Sequence, residues 1–156
     1  MGIFYKLFGP SKVEKLKEER DVEGLIGKIN FGYGGCSDVC QALGQIGDER
    51  AVVPLIEVLE RSKDKDTQKA AATALGQIGD ERAVMLLDKL LEDDGTDGEL
   101  CLSIVGALGQ IGGERAIRAL TKAMSDEFRG KKDLIGLMEV SVGMAATHAI
   151  RRIRKH

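Results

Sequence analysis

Tryptophan is absent, and aromatic residues make up only 4% of the 156-residue chain, as four phenylalanines and two tyrosines. Strands draw on aromatic and β-branched side chains in alternation. Here the β-branched residues fall at helical intervals, so no part of the chain competes for a sheet. Histidine is limited to His148, followed by Ala149, and His156, the last position given, which leaves no histidine–glutamate pair for a metal. Cys36, Cys40 and Cys101 are the only three cysteines, an odd number, and the start shows no leader of charge, apolar stretch and small residues. Reduced thiols in a cytoplasm are therefore predicted. No apolar run approaches the about 20 residues that a membrane-spanning helix requires. The formal charge of -2 argues against a whole-surface attraction to nucleic acid or acidic membrane, while leaving room for a local basic patch. With 43% hydrophobic and 31% charged residues, the chain is read as one domain over residues 1–156.

What the sequence has is repetition. The stretch "ALGQIGDERAV" at residues 42–52 recurs unchanged at 74–84, and a third copy at 107–117, "ALGQIGGERAI", differs only at Gly113 and Ile117. The starts at Ala42, Ala74 and Ala107 set a period of 32 and then 33 residues. Shifting by 30 places Val22, Leu25, Ile26 and Ile29 under Val52, Leu55, Ile56 and Leu59, a worn first copy. "AIRRI" at 149–153 matches "ALGQI" after about nine extra residues near "EFRGKKDLI". The predicted organisation is a degenerate repeat at 12–33, repeats at 36–62, 66–93 and 98–126, and a closing helix at 133–154.

Each unit reads as two helices. Ala70, Ala71, Ala74, Leu75 and Ile78 share one helical face, with Asp66 placed as the cap, and Val52, Leu55, Ile56 and Leu59 share another. Gly47, Gly79 and Gly112 stand where the first helix ends and a left-handed residue is needed. Asp48 and Asp80 follow as caps of the second helix, a role that Gly113 cannot fill, so the third turn is expected to be the softest. Gly44, Gly76 and Gly109 lie inside the first helices, where glycine costs about 1 kcal/mol relative to alanine. Such repeated penalties indicate close backbone packing. Arg151 takes that position in the closing half-repeat, where no second helix follows to demand it. A helix pair cannot bury its apolar stripe alone, so stacked pairs sharing one core are predicted: an all-α architecture, an α-solenoid.

The residues "ALGQIGDERAV..LI..L" are similar to the short HEAT-like repeats of the phycobilisome-lyase type, over about residues 12–126 and the last helix. Tetratricopeptide and ankyrin units have similar lengths of about 33 to 34 residues. Neither a tryptophan nor "TPLHxA" is present to support them. The resemblance implies a partner-binding scaffold and does not by itself imply lyase activity. Deoxyhypusine hydroxylase-like relatives hold two irons with His-Glu pairs, and this sequence lacks those ligands.

Candidate functional residues follow from the repeat. Glu19-Arg20, Glu49-Arg50, Glu81-Arg82 and Glu114-Arg115 would stack into a ladder at one edge of the inner surface. Its arginines either present guanidinium groups to a partner's carboxylates or phosphates, or bond to neighbouring turns. Along the second helices, equivalent positions read Glu23, Val53, Met85 and Arg118, then Gly27, Glu57, Lys89 and Lys122, grading from acidic or neutral to basic. Val53 and Met85 are candidate anchors for a protein or peptide on this face, the alternative being an ordinary solvated surface. Arg50, Arg82, Arg115, Val53, Met85, Arg118, Glu57, Lys89 and Lys122 thus form the predicted partner-binding set.

Other features are read as structural. Cys36 and Cys40 fall short of a four-ligand zinc site and are expected to be small buried residues. "FGYGGCSD" lacks the strand and the lysine of a phosphate loop. Phe4, Tyr5 and Phe8 are expected to cover the open end of the stack, ahead of a Ser11–Glu14 capping box, and Lys6 breaks the myristoylation pattern. Arg151, Arg152, Arg154 and Lys155 complement a helix C-terminus, with weak binding of nucleic acid or anionic lipid as the alternative. No catalytic residue, cofactor or metal is predicted. The function expected is a non-enzymatic protein–protein interaction scaffold or assembly factor, with an accessory role in tetrapyrrole or bilin attachment as the alternative implied by the resemblance.

Overall fold

The computed structural model describes residues 10–30, 36–93, 95–123 and 147–155. Among them there is no strand. The helices are α1 (Pro10–Glu18), α2 (Val22–Asn30), α3 (Ser37–Ile46), α4 (Val52–Arg61), α5 (Lys65–Ile78), α6 (Val84–Glu92), α7 (Gly98–Ile111) and α8 (Gly113–Ala123), followed by α9 at 147–153. They pair in sequence as α1/α2, α3/α4, α5/α6 and α7/α8, with α9 as a further first helix. The aromatic residues Phe4, Tyr5 and Phe8, most of the "FGYGGCSD" loop and the 133–146 part of the predicted closing helix lie outside the described residues.

One core runs through the stack because equivalent apolar positions stack on one another. Leu43, Leu75 and Leu108 of the first helices are fully buried, and so are Leu25, Leu55, Leu87 and Leu120 of the second. Ala51 and Ala83 fill the turns between them, and Ala116 takes the same place in the first turn of α8, all with no exposed surface. Each buried leucine contributes about 1.5–3 kcal/mol relative to an exposed one, so the two leucine rows dominate the stabilisation.

The repeated turn is built as its residues dictate. Gly47 and Gly79 adopt φ of 74° and 77°, and their N–H groups donate to Leu43 O and Leu75 O at 3.0 and 3.1 Å. Asp48 and Asp80 then accept from the N–H groups of Arg50 and Arg82 at 2.9 and 2.8 Å, opening short 3-10 turns, Glu49–Ala51 and Glu81–Ala83, that lead into α4 and α6. In the third copy Gly112 and Gly113 both have positive φ, 74° and 80°, and α8 starts at Gly113 without a 3-10 turn.

The glycines inside the first helices mark backbone contact between successive repeats. A Cβ on Gly44 would stand 2.7 Å from Ala74 Cα, one on Gly76 2.6 Å from Ala107 Cα, and one on Gly109 2.5 Å from Ala149 Cβ. The contact expected from a second helix is therefore made by the next first helix, and the alanine that opens each "ALGQI" is its counterpart. Second helices of neighbouring repeats meet at far fewer points. A stack with one row more closely spaced bends toward that row, so the first helices form the inner side and the second helices the outer, the reverse of the expected placement.

Three local expectations also change. Asp64, not Asp66, caps α5 by accepting from Thr67 N–H at 3.0 Å, because the helix begins two residues earlier, at Lys65. Helix α1 starts at Pro10, so Ser11 lies within its first turn rather than ahead of it. Arg20 is not a rung equivalent to Arg50. It has φ of 53° and takes the left-handed place that Gly47 and Gly79 hold elsewhere, while Asp21 caps α2 through Gly24 N–H at 2.9 Å.

Candidate partner-binding face

The second helices α4, α6 and α8 place their apolar stripe inward and leave one row of side chains outermost. Val53 and Met85, at equivalent positions, are the exposed large hydrophobic residues among those described, at 52% and 74% accessibility. Their chain neighbours Val52 and Val84 are buried. Arg118 continues the row on α8, and Glu57, Lys89 and Lys122 follow one turn further along each helix, all exposed. All nine sequence-predicted residues lie on the surface.

The arginine ladder divides into two kinds of rung. Arg50 grips its own cap, with Nε and Nη2 at 3.0 and 2.9 Å from the Asp48 carboxylate, and reaches back to Glu23 at 3.3 Å. Arg82 does the same, with Nη2 2.6 Å from Asp80 Oδ2, and donates to Glu49 O of the preceding turn at 3.3 Å. Even Arg20, outside the register, donates to Ile46 O at 3.2 Å. These arginines tie turns to turns. The Arg50 guanidinium and N–H hold the Asp48 carboxyl down at about 2, and Arg82 lowers that of Asp80 in the same way. Arg115 has Gly113 where the others have aspartate, and its guanidinium has no hydrogen bond or ion pair to any described residue.

Arg115 and Arg118 stand three apart on α8, hence on one face, and line a cleft of about 380 Å³ between α6 and α8. Val84, Met85 and Asp88 form the opposite wall, with Ala119 and Lys122 completing the α8 side. Lys122 forms an ion pair with Glu92. Burial, and secondarily Glu92, raises the Asp88 carboxyl above its ordinary value. The arrangement offers an apolar ledge beside two cations that pair with no described residue. Among its described lining residues there is no nucleophile set up by a base.

A second groove, of about 590 Å³, escaped the sequence reading. It runs between α3 and α5 on the inner row, lined by Gln41, Gln45, Lys69, Thr73 and Gln77 among others. Its signal was the glutamine of "ALGQIG", which puts Gln45, Gln77 and Gln110 at exposed positions of successive first helices. Lys69 there is spoken for by Asp66 and Glu99, at 2.9 and 2.7 Å.

Among the described residues no group of three or more histidine, cysteine or acidic side chains could hold a metal ion. Cys40 is fully buried, which together with Cys36 pushes its thiol up to about 12, while Cys36 is half-buried. No described helix is long and apolar enough to cross a membrane.

Antiparallel helix pairs, stacked in register over a shared leucine core, define an α-solenoid repeat protein. The family model for HEAT repeats matches residues 37–100 and, overlapping, 54–131, more than half of the chain. The chain belongs to the HEAT-repeat family. No curated protein matches it.

Proposed function

We propose that this chain is a non-enzymatic interaction module or assembly factor that binds a protein or peptide on its second-helix face. HEAT repeats commonly serve as protein-interaction scaffolds, and the short "ALGQIGDERAV" pattern favours the phycobilisome-lyase type of repeat. The observation that carries the reading is the pair Val53 and Met85. Elsewhere the described second helices bury or half-bury their large apolar side chains, yet these two equivalent positions leave theirs in water, and exposed apolar anchors in register suit a partner lying across the repeats. The non-enzymatic reading is supported by the sequence, which offers no convergent nucleophile, acid–base pair or metal cluster. Cysteines outside any disulfide, Cys36, Cys40 and Cys101, fit a cytoplasmic location.

The test is capture of partners from the native extract by the wild-type chain and by a Val53→Asp/Met85→Asp double variant. Loss of one or more specific partners from a variant with unchanged helical circular dichroism is the expected result. Retention of every partner by that variant overturns the reading.

A further inference from the structure

We infer that the cleft between α6 and α8 binds an acidic peptide segment, with carboxylates on Arg115 and Arg118 and an apolar side chain on Met85. This rests on the proposed role of the second-helix face and names the chemistry of the partner.

The argument starts from what happens to arginine elsewhere in the repeat. At Arg50 and Arg82 the cap aspartate two residues earlier occupies the guanidinium, so the repeat neutralises its own charge. The third copy writes Gly113 at that place, and the charge of Arg115 is left over. Arg118, at the position of Val53 and Met85, adds a second cation that makes no hydrogen bond or ion pair with a described residue. Two guanidinium groups on adjacent turns form a fork suited to carboxylates, which accept from them with good geometry.

The charges that line the cleft, Arg115, Arg118 and Lys122 against Asp88, leave it positive, with Glu81 near Gly113 outside its lining. Lys122 is balanced by Glu92, and Asp88 forms no ion pair with either arginine. Charge complementarity therefore calls for an anion. The other wall decides which kind: Met85 is the most exposed large apolar side chain described, and Val84 lies at its base. Methionine is a soft, adaptable surface for an apolar side chain. A nucleic acid would draw on a broad basic surface, whereas this cleft carries its cations on one wall only, and the basic cluster Arg151, Arg152, Arg154 and Lys155 is not part of its lining.

Panning a randomised peptide display library against the full chain tests this. The expected result is enrichment of peptides pairing aspartate or glutamate with an aliphatic or aromatic residue. Affinity for a synthetic copy of such a peptide should fall about tenfold with Arg115→Gln or Arg118→Gln, and similarly with Met85→Ser. Arg61→Gln, elsewhere on the surface, should leave it unchanged. Enriched peptides without acidic residues, or affinity indifferent to Arg115→Gln and Arg118→Gln, overturn the inference. If affinity falls with Val53→Ser and Met85→Ser only, the interaction-module reading stands and the acidic partner does not. If the library yields nothing that any of these variants affects, both fall. Arginine-dependent binding of an RNA oligonucleotide, or arginine-dependent self-association, in place of peptide binding also overturns it.

Discussion

Gly76 of α5 faces Ala107 of α7 so closely that a methyl group added to Gly76 would stand 2.6 Å from the Ala107 Cα. The same seat holds Gly44 against Ala74 and Gly109 against Ala149, so the repeats are spaced by backbone contact along their first helices.

Gly76→Ala is therefore expected to destabilise the chain by about 1–3 kcal/mol, since overpacking outweighs the helix propensity alanine brings. Gly106→Ala, in α7, meets nothing within 4 Å and should stabilise by about 0.5–1 kcal/mol. Urea unfolding of both variants checks the contrast, and equal effects of one sign would discard the seat.

Restoring the consensus aspartate at position 113 should not restore the cap. Gly113 has φ of 80°, and a Cβ there would lie 2.8 Å from Glu81 Oε1. Gly113→Asp places an L side chain in the left-handed region and a second carboxylate against Glu81. A loss of about 1–2 kcal/mol follows from the backbone cost. A higher unfolding midpoint for this variant would show that the turn rearranges to the form of the other two.

Removing a cap should separate two neighbouring aspartates. Asp64→Ala leaves the Thr67 N–H unpaired at the start of α5 and should cost about 1 kcal/mol. Asp66→Ala, an exposed first-turn residue, should stay within about 0.5 kcal/mol of wild type. Denaturant midpoints for the two single variants decide which residue is the cap.

Stability should fall on acidification through Asp48 and Asp80. Both carboxyls are held low by their arginines in the folded chain, Asp48 at about 2, against about 3.9 when unfolded. A depressed folded value means that the contribution is complete above the unfolded value and is lost as pH falls through the folded one. In Asp48→Asn the amide oxygen still caps, but it no longer titrates. Wild type and variant should therefore converge in stability between about pH 5 and pH 2, as unfolding at the two ends of that range would show. A difference that stays constant would mean the Asp48–Arg50 clamp does not form.

The repeat, its helix pairs and its turn were legible in the sequence because they are local or strictly periodic. The left-handed Gly47 and Gly79 and the caps Asp48 and Asp80 follow from residue types whose backbone preferences act within a few residues. Leucines recurring every 32 or 33 residues have to meet in a stack. The exposure of Val53 and Met85 was legible too, since helical periodicity puts them opposite the buried stripe. Asp64 was missed because the start of a helix depends on which of two aspartates, two residues apart, the packed chain brings into place. Arg20 was misassigned because a matching dipeptide does not reveal which residue takes the left-handed turn.

Sequence alone determined that this chain is a stack of helical hairpins with a glycine at each close approach. Only the tertiary structure decided which helix makes that approach, which row lies inside the bend, and which arginines still have charge to offer. Those outcomes depend on distances between residues about one repeat apart, or between an arginine and the carboxylates that packing places near it. Arg50, Arg82 and Arg115 share the Glu-Arg-Ala triplet, with the aspartate before it replaced by Gly113 in the third copy. Their surroundings set them apart, with an aspartate in reach of the first two and an open cleft beside the third.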